Sequence, residues 1–227
     1  MVLNWSALQM AVVYETPYRW ILFEDIIATD AKFELMNSYP SKEQFRELGE
    51  GDISLAIPVF AKQEVVSQLR EINEHWRSRV ESGIITSNIP NCNEIWQRFF
   101  EELWSLAYLK VMGKLSGLKL ENCLMTIGFR RFHSGHAKFW VPHTDGSHRV
   151  LTHLFYFNEE WSNDWGGCLQ ILLQKDTSSV VYSIPPLIGS SVALVETGKS
   201  WHVITPISPQ APQHRLTMQT VFWLPSS

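Results

Sequence analysis

The chain has no C-x-x-C pair, and its three cysteines, Cys92, Cys123 and Cys168, are odd in number and far apart. That pattern excludes a disulfide framework and a structural zinc site, and it fits a reducing cytoplasm. Each cysteine reads as a small buried apolar side chain. There is no long run of one charge, and the net charge is only −4, so the electrostatic footprint of a nucleic-acid binder or a membrane-surface helix is missing. No apolar stretch approaches the roughly 20 residues of a membrane span. Met1 to Tyr14 places no lysine or arginine ahead of its apolar residues, so neither export nor insertion is expected. Internal repeats, low-complexity tracts and interdomain linkers are also lacking. What remains is an ordinary globular composition, 227 residues with 45% apolar and 19% charged side chains, which implies one domain around one sizeable core.

The two halves differ in texture. In Lys62 to Ser82 the residues Val65, Leu69, Ile72, Trp76 and Val80 recur every three or four positions, the spacing of one amphipathic helix. A second such segment runs from about Asn93 to Leu115, with Ile95, Phe99, Leu103, Leu106 and Val111 near one face. Tyr18 to Phe23 reads as a short strand, followed by a helix that stops near Tyr39-Pro40, because proline disfavours helix at the residue before it. From Leu124 onward, short segments rich in Val, Ile, Thr, Phe and Trp alternate with Gly, Pro, Asn and Ser, a β pattern. The expected strands are Leu124–Phe132, Val150–Phe157, Cys168–Leu173, Val180–Ile184, Ser191–Glu196, His202–Pro206 and Arg215–Leu224, spaced as in a sandwich or barrel. The fold class is therefore α+β. Helices over about 1–120 buttress a β core over about 121–225 in a single domain, 1–227.

Three pieces of the β half carry chemistry. Pro142-His143-Thr144-Asp145 comes first, Trp201-His202-Val203 follows with His202 57 residues after Asp145, and Arg215-Leu216-Thr217 begins 13 residues after His202. In extended chain His143 and Asp145 point to the same side and can share one ion. With His202 they would occupy one face of an octahedral Fe(II), leaving three positions for O2 and a bidentate co-substrate. Arg215 can grip the distal carboxylate of a dicarboxylate through its planar fork and stays charged in a partly dry cavity. Thr217 lies two residues on, on the same strand face. An isolated H-x-D motif is weak among 8 histidines; the ordered set is stronger.

Taken together, Ile127 to Trp223 resembles the double-stranded β-helix, a jelly-roll or cupin-like core, of the Fe(II) and 2-oxoglutarate-dependent oxygenase superfamily, in its prolyl-hydroxylase-like branch. The matching pieces are Arg131-Phe132-His133-Ser134-Gly135, His143-Thr144-Asp145 and Leu151-Thr152-His153-Leu154-Phe155-Tyr156-Phe157-Asn158. They continue through Gly166-Gly167-Cys168-Leu169, Ile184-Pro185-Pro186 to Gly189, Trp201-His202-Val203 and Arg215-Leu216-Thr217. The resemblance implies Fe(II), 2-oxoglutarate as co-substrate and O2, with His143, Asp145 and His202 as metal ligands and Arg215, Thr217 and Thr152 on the co-substrate. It implies hydroxylation with release of succinate and CO2. Two positions depart from the family pattern: Phe132 stands where many relatives have a tyrosine, and Thr217 where serine is usual. Halogenating relatives carry a small residue at the carboxylate position, so Asp145 points to oxygenation instead.

Other residues near the motifs have two readings. Arg130 and Arg131 alternate, so one points inward, with Arg131 the candidate for a substrate anion. Trp140 and Trp201, with Trp161 and Trp165, either wall a substrate pocket or belong to the core. His153 faces the cavity beside Thr152 or the opposite side, depending on register. His214, adjacent to Arg215, is expected outside the cavity. Glu196 either serves the site or only ends its strand. The expected partner is a small-molecule substrate such as an amino acid or biosynthetic intermediate, with no nucleic acid and no membrane. A peptidyl hydroxylase and a non-catalytic β-barrel metabolite binder are the alternatives.

Overall fold

A computed structural model describes residues 1–47, 54–133, 141–146 and 148–224. The helices are α1 (Trp5–Gln9), α2 (Thr29–Asn37), α3 (Gln63–Ile72), α4 (Glu74–Glu81), α5 (Glu94–Leu103) and α6 (Leu106–Ser116). The strands of the first half are β1 (Val12–Tyr14), β2 (Trp20–Phe23), β3 (Arg46–Glu47), β4 (Ser54–Ala56), β5 (Val59–Phe60) and β6 (Ile85–Thr86). Those of the second half are β7 (Leu124–Phe132), β8 (Arg149–Tyr156), β9 (Leu169–Leu172), β10 (Val180–Ile184), β11 (Ser191–Val195), β12 (His202–Ile204) and β13 (Arg215–Trp223).

Each of the two long helical segments expected from apolar spacing is broken once, and in both cases a capping side chain marks the break. Asn73 is extended and its side-chain oxygen accepts from the Trp76 amide, ending α3 and starting α4. Ser105 does the same for the Tyr108 amide between α5 and α6. Such residues satisfy the orphan amides of a new helix start, so the chain can bend while the apolar stripe continues. The first half is also less purely helical than its apolar spacing suggests, because it supplies strands to the main sheet.

A large sheet runs in the order β1-β2-β11-β8-β13-β7-β4-β3, and a small one in the order β10-β9-β12. Trp20 and Leu22 of β2, Tyr156 of β8 and Val192 and Leu194 of β11 pack against Leu169, Ile171, Ile184 and Ile204 of the small sheet. The outer face of the large sheet carries Leu151, Phe155, Met218 and Phe222, packed under Trp96, Phe99, Phe100 and Tyr108 of α5 and α6. These side chains are buried at 0% exposure, and each contributes about 1.5–3 kcal/mol of apolar burial. Alternation along each strand thus assigns odd-numbered residues of β13 and even-numbered residues of β7 and β8 to the space between the sheets.

Candidate metal and co-substrate site

The cavity between the sheets, about 250 Å³, is lined by His143, Asp145, Thr152, His202, Arg215 and Thr217 among others. His143 and His202 come together through backbone pairing: the amide of each donates to the carbonyl of the other at 3.0 Å. Their rings lie 4.5 Å apart between centroids. One ligand atom from each of His143, Asp145 and His202 falls within 4.8 Å of the others, which is the spacing needed to share an ion.

The ring nitrogens are oriented by backbone carbonyls two residues earlier in the chain. Nδ1 of His143 lies 3.0 Å from the Val141 carbonyl, and Nδ1 of His202 lies 2.8 Å from the Ser200 carbonyl. A carbonyl only accepts, so each Nδ1 carries a proton, which leaves Nε2 as the nitrogen available to an ion. Burial lowers the His202 pKa, against the pull of Asp145, which keeps the ring neutral and able to ligate.

Asp145 is held on three sides. Arg149 donates to Oδ1 at 2.9 Å, the Thr152 hydroxyl donates to Oδ2 at 2.6 Å, and the Asp145 amide donates to Glu196 at 2.8 Å. Burial would raise this carboxyl, but Arg149, His202, Thr152 and His143 outweigh it and hold the pKa below its usual value. The same Glu196 carboxylate accepts from the Ser200 hydroxyl and from the Gly198 amide. Glu196 therefore ties the loop bearing Asp145 to the loop before His202.

Arg215, only 1% exposed, sits where the glycine pair makes room. A Cβ on Gly167 would come within 3.4 Å of the Arg215 Cδ and within 3.0 Å of Trp161. The Gly167 carbonyl accepts from Arg215 Nε at 2.8 Å. The guanidinium stands 5.1 Å from the Phe132 ring and 5.3 Å from the Tyr156 ring. Burial lowers its pKa, with the neighbouring Tyr156 opposing. Arg215 Nη2 and the Tyr156 hydroxyl are both buried without a hydrogen-bonding partner of good geometry. Buried donors of this kind carry a desolvation cost that an acceptor relieves. A carboxylate of 2-oxoglutarate fits that need, and two imidazoles with one carboxylate fit Fe(II).

The remaining sequence expectations sort by strand face. Arg130, not Arg131, lines the cavity. Arg131 pairs with Leu216 on the other face, donates to the Pro40 carbonyl at 3.1 Å and covers the rings of Tyr39 and Phe45. His153 faces the helices: it is 0% exposed, stacks on Phe23 and bonds Tyr108 and Ser191. A substrate role for Arg131 or His153 is thereby corrected, since one-residue alternation turns both away. Thr152 reaches the cavity, but its hydroxyl is directed to Asp145. Trp201 lies under Lys175, 5.6 Å from its ring, and does not line the cavity. Trp161 packs with Phe132, Ile207 and Ala211 as core. Trp140 lies outside the described residues. His214 meets His133 at 4.7 Å rather than the cavity.

Arg149, which lines the cavity, and Tyr156, which stands beside Arg215, are residues that sequence reasoning passed over. For Tyr156 the available signal was the period-2 rule applied forward from Thr152 along one strand. Arg149 escapes that rule because pairing with β13 shifts register next to it, between Phe222 and Trp223.

Residues 127–223 match the model of a family described as the 2OG-Fe(II) oxygenase superfamily. No curated protein sequence matches the chain. Among solved structures, a Pseudomonas putida prolyl-4-hydroxylase aligns with a TM-score of 0.54 at 16% identity, covering 90% of this chain and 92% of that one. A Trichoplax adhaerens prolyl hydroxylase, solved with a hypoxia inducible factor peptide fragment, aligns with a TM-score of 0.53 at 12% identity, covering 90% and 83%. The architecture is the double-stranded β-helix with supporting helices.

Proposed function

From the premise that residues 127–223 carry the core of the 2OG-Fe(II) oxygenase superfamily, we propose that this 2-oxoglutarate-dependent oxygenase hydroxylates an unactivated C–H bond of a small molecule. An amino acid or a biosynthetic intermediate is the class of substrate meant. The observation that carries the reading is the convergence of His143, Asp145 and His202 in one cavity with a partnerless Arg215 nitrogen.

His143 and His202 would hold iron through Nε2, with their Nδ1 protons anchored on backbone carbonyls. Asp145 would supply the third ligand from a carboxylate that Arg149 and Thr152 keep ionised and aimed. Bound iron and 2-oxoglutarate supply the oxidising chemistry, using O2 and releasing succinate and CO2. Arg215 would receive the distal carboxylate on Nη2, and Tyr156 would donate its hydroxyl, replacing the tyrosine missing at Phe132. Thr217 lines the same wall. The apolar residues Leu154, Leu169, Leu194 and Ile204 keep the site poor in water, which strengthens each of these contacts.

Because Asp145 occupies the position that halogenating relatives leave small, the outcome we propose is oxygenation. The fold shared with prolyl hydroxylases motivates a peptidyl substrate as the second reading. The three free cysteines fit a reducing compartment such as the cytoplasm. No helix among the described residues is long and apolar enough to cross a membrane.

Succinate release from 2-oxoglutarate, dependent on Fe(II) and O2, tests the reading, with a +16 Da product sought in parallel panels of small molecules and peptides. His143→Ala is expected to reduce turnover to background while the protein stays folded. Activity unchanged in that variant, or no succinate from the wild type, would refute the assignment.

A further inference from the structure

Beside the metal ligands, the cavity wall formed by Asp145 and Arg149 is shared with a second cavity of about 350 Å³ bounded by α4, Gly146, His148 and Trp223. A narrower space, about 40 Å³, joins the same walls through Arg79, Arg130, Arg149 and Gln219. Among the described residues, Asp145 is the one carboxylate lining any of the three, whereas Arg79, Arg130 and Arg149 all face them. His75 and His148 stand at the rim.

The annex is built rather than incidental. Trp76 of α4 meets Trp223 of β13 edge to face at 4.6 Å, and the Arg149 guanidinium lies 5.0 Å from the Trp223 ring. These aromatic walls hold Arg149 in place at the junction between annex and metal site. Arg79 reaches in from the last turn of α4, with its Nε buried and without a partner. Burial and the nearby charge of Arg149 both push Arg79 below its usual pKa, as expected for two neighbouring guanidiniums. Asp145 pairs with Arg149 at 2.9 Å, so the carboxylate that lines the annex is already engaged on its other side.

We propose that the substrate is an anion, a carboxylate or phosphate monoester, whose charged end docks in this annex between Arg79 and Arg149 while its uncharged part extends to the metal ligands. Planar, permanently charged guanidiniums with aromatic backing are suited to such oxyanions. The inference rests on the oxygenase reading, and it adds a substrate-positioning role for Arg79, a helix residue far from the metal motif in sequence. Anion docking at Arg79 and Arg149 would also order the substrate before reaction, since binding energy remote from the reacting carbon fixes its position.

The test uses protein loaded with Mn(II) and 2-oxoglutarate, so that Arg215 is already engaged. Inorganic phosphate, N-acetyl-L-alanine and the neutral N-acetyl-L-alanine amide are titrated by calorimetry at constant ionic strength. Saturable binding of phosphate or the carboxylate, at least tenfold tighter than the amide and weakened at least tenfold in Arg79→Gln, is the expected result; which anion binds identifies the headgroup. Equal behaviour of anion and amide, or of wild type and Arg79→Gln, overturns the proposal. Fe(II)-dependent succinate release is measured separately, so loss of the oxygenase reading and loss of the anion site give different outcomes. For any converted acid, esterifying the anion should lower kcat/KM at least tenfold; an unchanged kcat/KM also overturns it.

Discussion

A guanidinium buried to 1% exposure with one nitrogen unpartnered is costly to keep, and Arg215 is tolerated because Gly167 and two aromatic faces partly compensate. Its remaining donor capacity suits the proposed contact with a dicarboxylate. With Mn(II) present and 2-oxoglutarate at about 100-fold above its Kd, linkage adds about 2.7 kcal/mol. For a chain of this size that is roughly 5–10 °C in Tm. Arg215→Met, apolar and of similar length, should lose most of that rise in a thermal-shift titration. A full rise in the variant would place the co-substrate's distal carboxylate elsewhere. Glu196 shows a different residue-scale device, since one carboxylate receives the Asp145 amide, the Gly198 amide and the Ser200 hydroxyl. The loops that carry Asp145 and precede His202 are thus bonded to each other through one carboxylate.

At the scale of elements, the turn before β9 decides where Arg215 can lie. Gly166 has φ 69 and ψ −147, and a Cβ there would stand 1.8 Å from the Pro206 carbonyl oxygen. Gly166→Ala should therefore cost at least about 2 kcal/mol, from backbone strain added to displacement of a neighbouring main chain, as read from urea unfolding. Gly198, at φ 72 with open space around its Cβ position, isolates the strain: Gly198→Ala should cost only about 1 kcal/mol. Equal losses would remove the steric argument.

The strands of the second half were legible in the sequence because β-branched runs bounded by Gly and Pro repeat there, and Leu124–Phe132 and Val180–Ile184 coincide with β7 and β10. The candidate metal group was proposed from period-2 alternation, which puts His143 and Asp145 on one side, and the structure brings both within 4.8 Å of His202. Local periodicity does not encode which face of β7 or β8 turns inward. That is set by pairing with β13, where Thr217 opposes Arg130 and Thr220 opposes His153, so Arg131 and His153 were misplaced. The breaks at Asn73 and Ser105 were carried by single capping side chains inside continuous apolar stripes. The annex around Arg79 depends on contact between α4 and the end of β13, a long-range pairing that spacing alone does not reveal.

For the whole molecule, the interface between helices and large sheet contains one titratable side chain with a definite consequence. The single Ser191 proton is directed to the Leu154 carbonyl, so His153 Nε2 donates to Ser191 and Nδ1 accepts from Tyr108. Complete burial lowers the His153 pKa from 6.5 to about 3. The unfolded chain therefore binds a proton over that interval that the folded chain refuses. Stability from this group is fully present above about pH 6.5 and falls as pH drops toward 3, by at most about 1.4 kcal/mol per unit. His153→Gln should flatten that part of the stability profile measured by urea unfolding; an unaltered slope would exclude His153 as its source.

The same interface makes the β core dependent on the first half of the chain. β2 pairs with β11 over four residues, Trp20 to Phe23 against Ser191 to Leu194, so a strand from the first half occupies an interior position of the large sheet. Removing residues 1–120 would leave β11 with an open edge and would strip Leu151, Phe155, Met218 and Phe222 of their helical cover. An exposed apolar sheet face beside an unpaired edge favours association over folding. A fragment of residues 121–227 should therefore lack a cooperative thermal transition and aggregate, although it retains His143, Asp145, His202 and Arg215. Cooperative unfolding of that fragment with metal affinity like that of the full chain would show the β core to be autonomous, with the helices and β2 as additions to it.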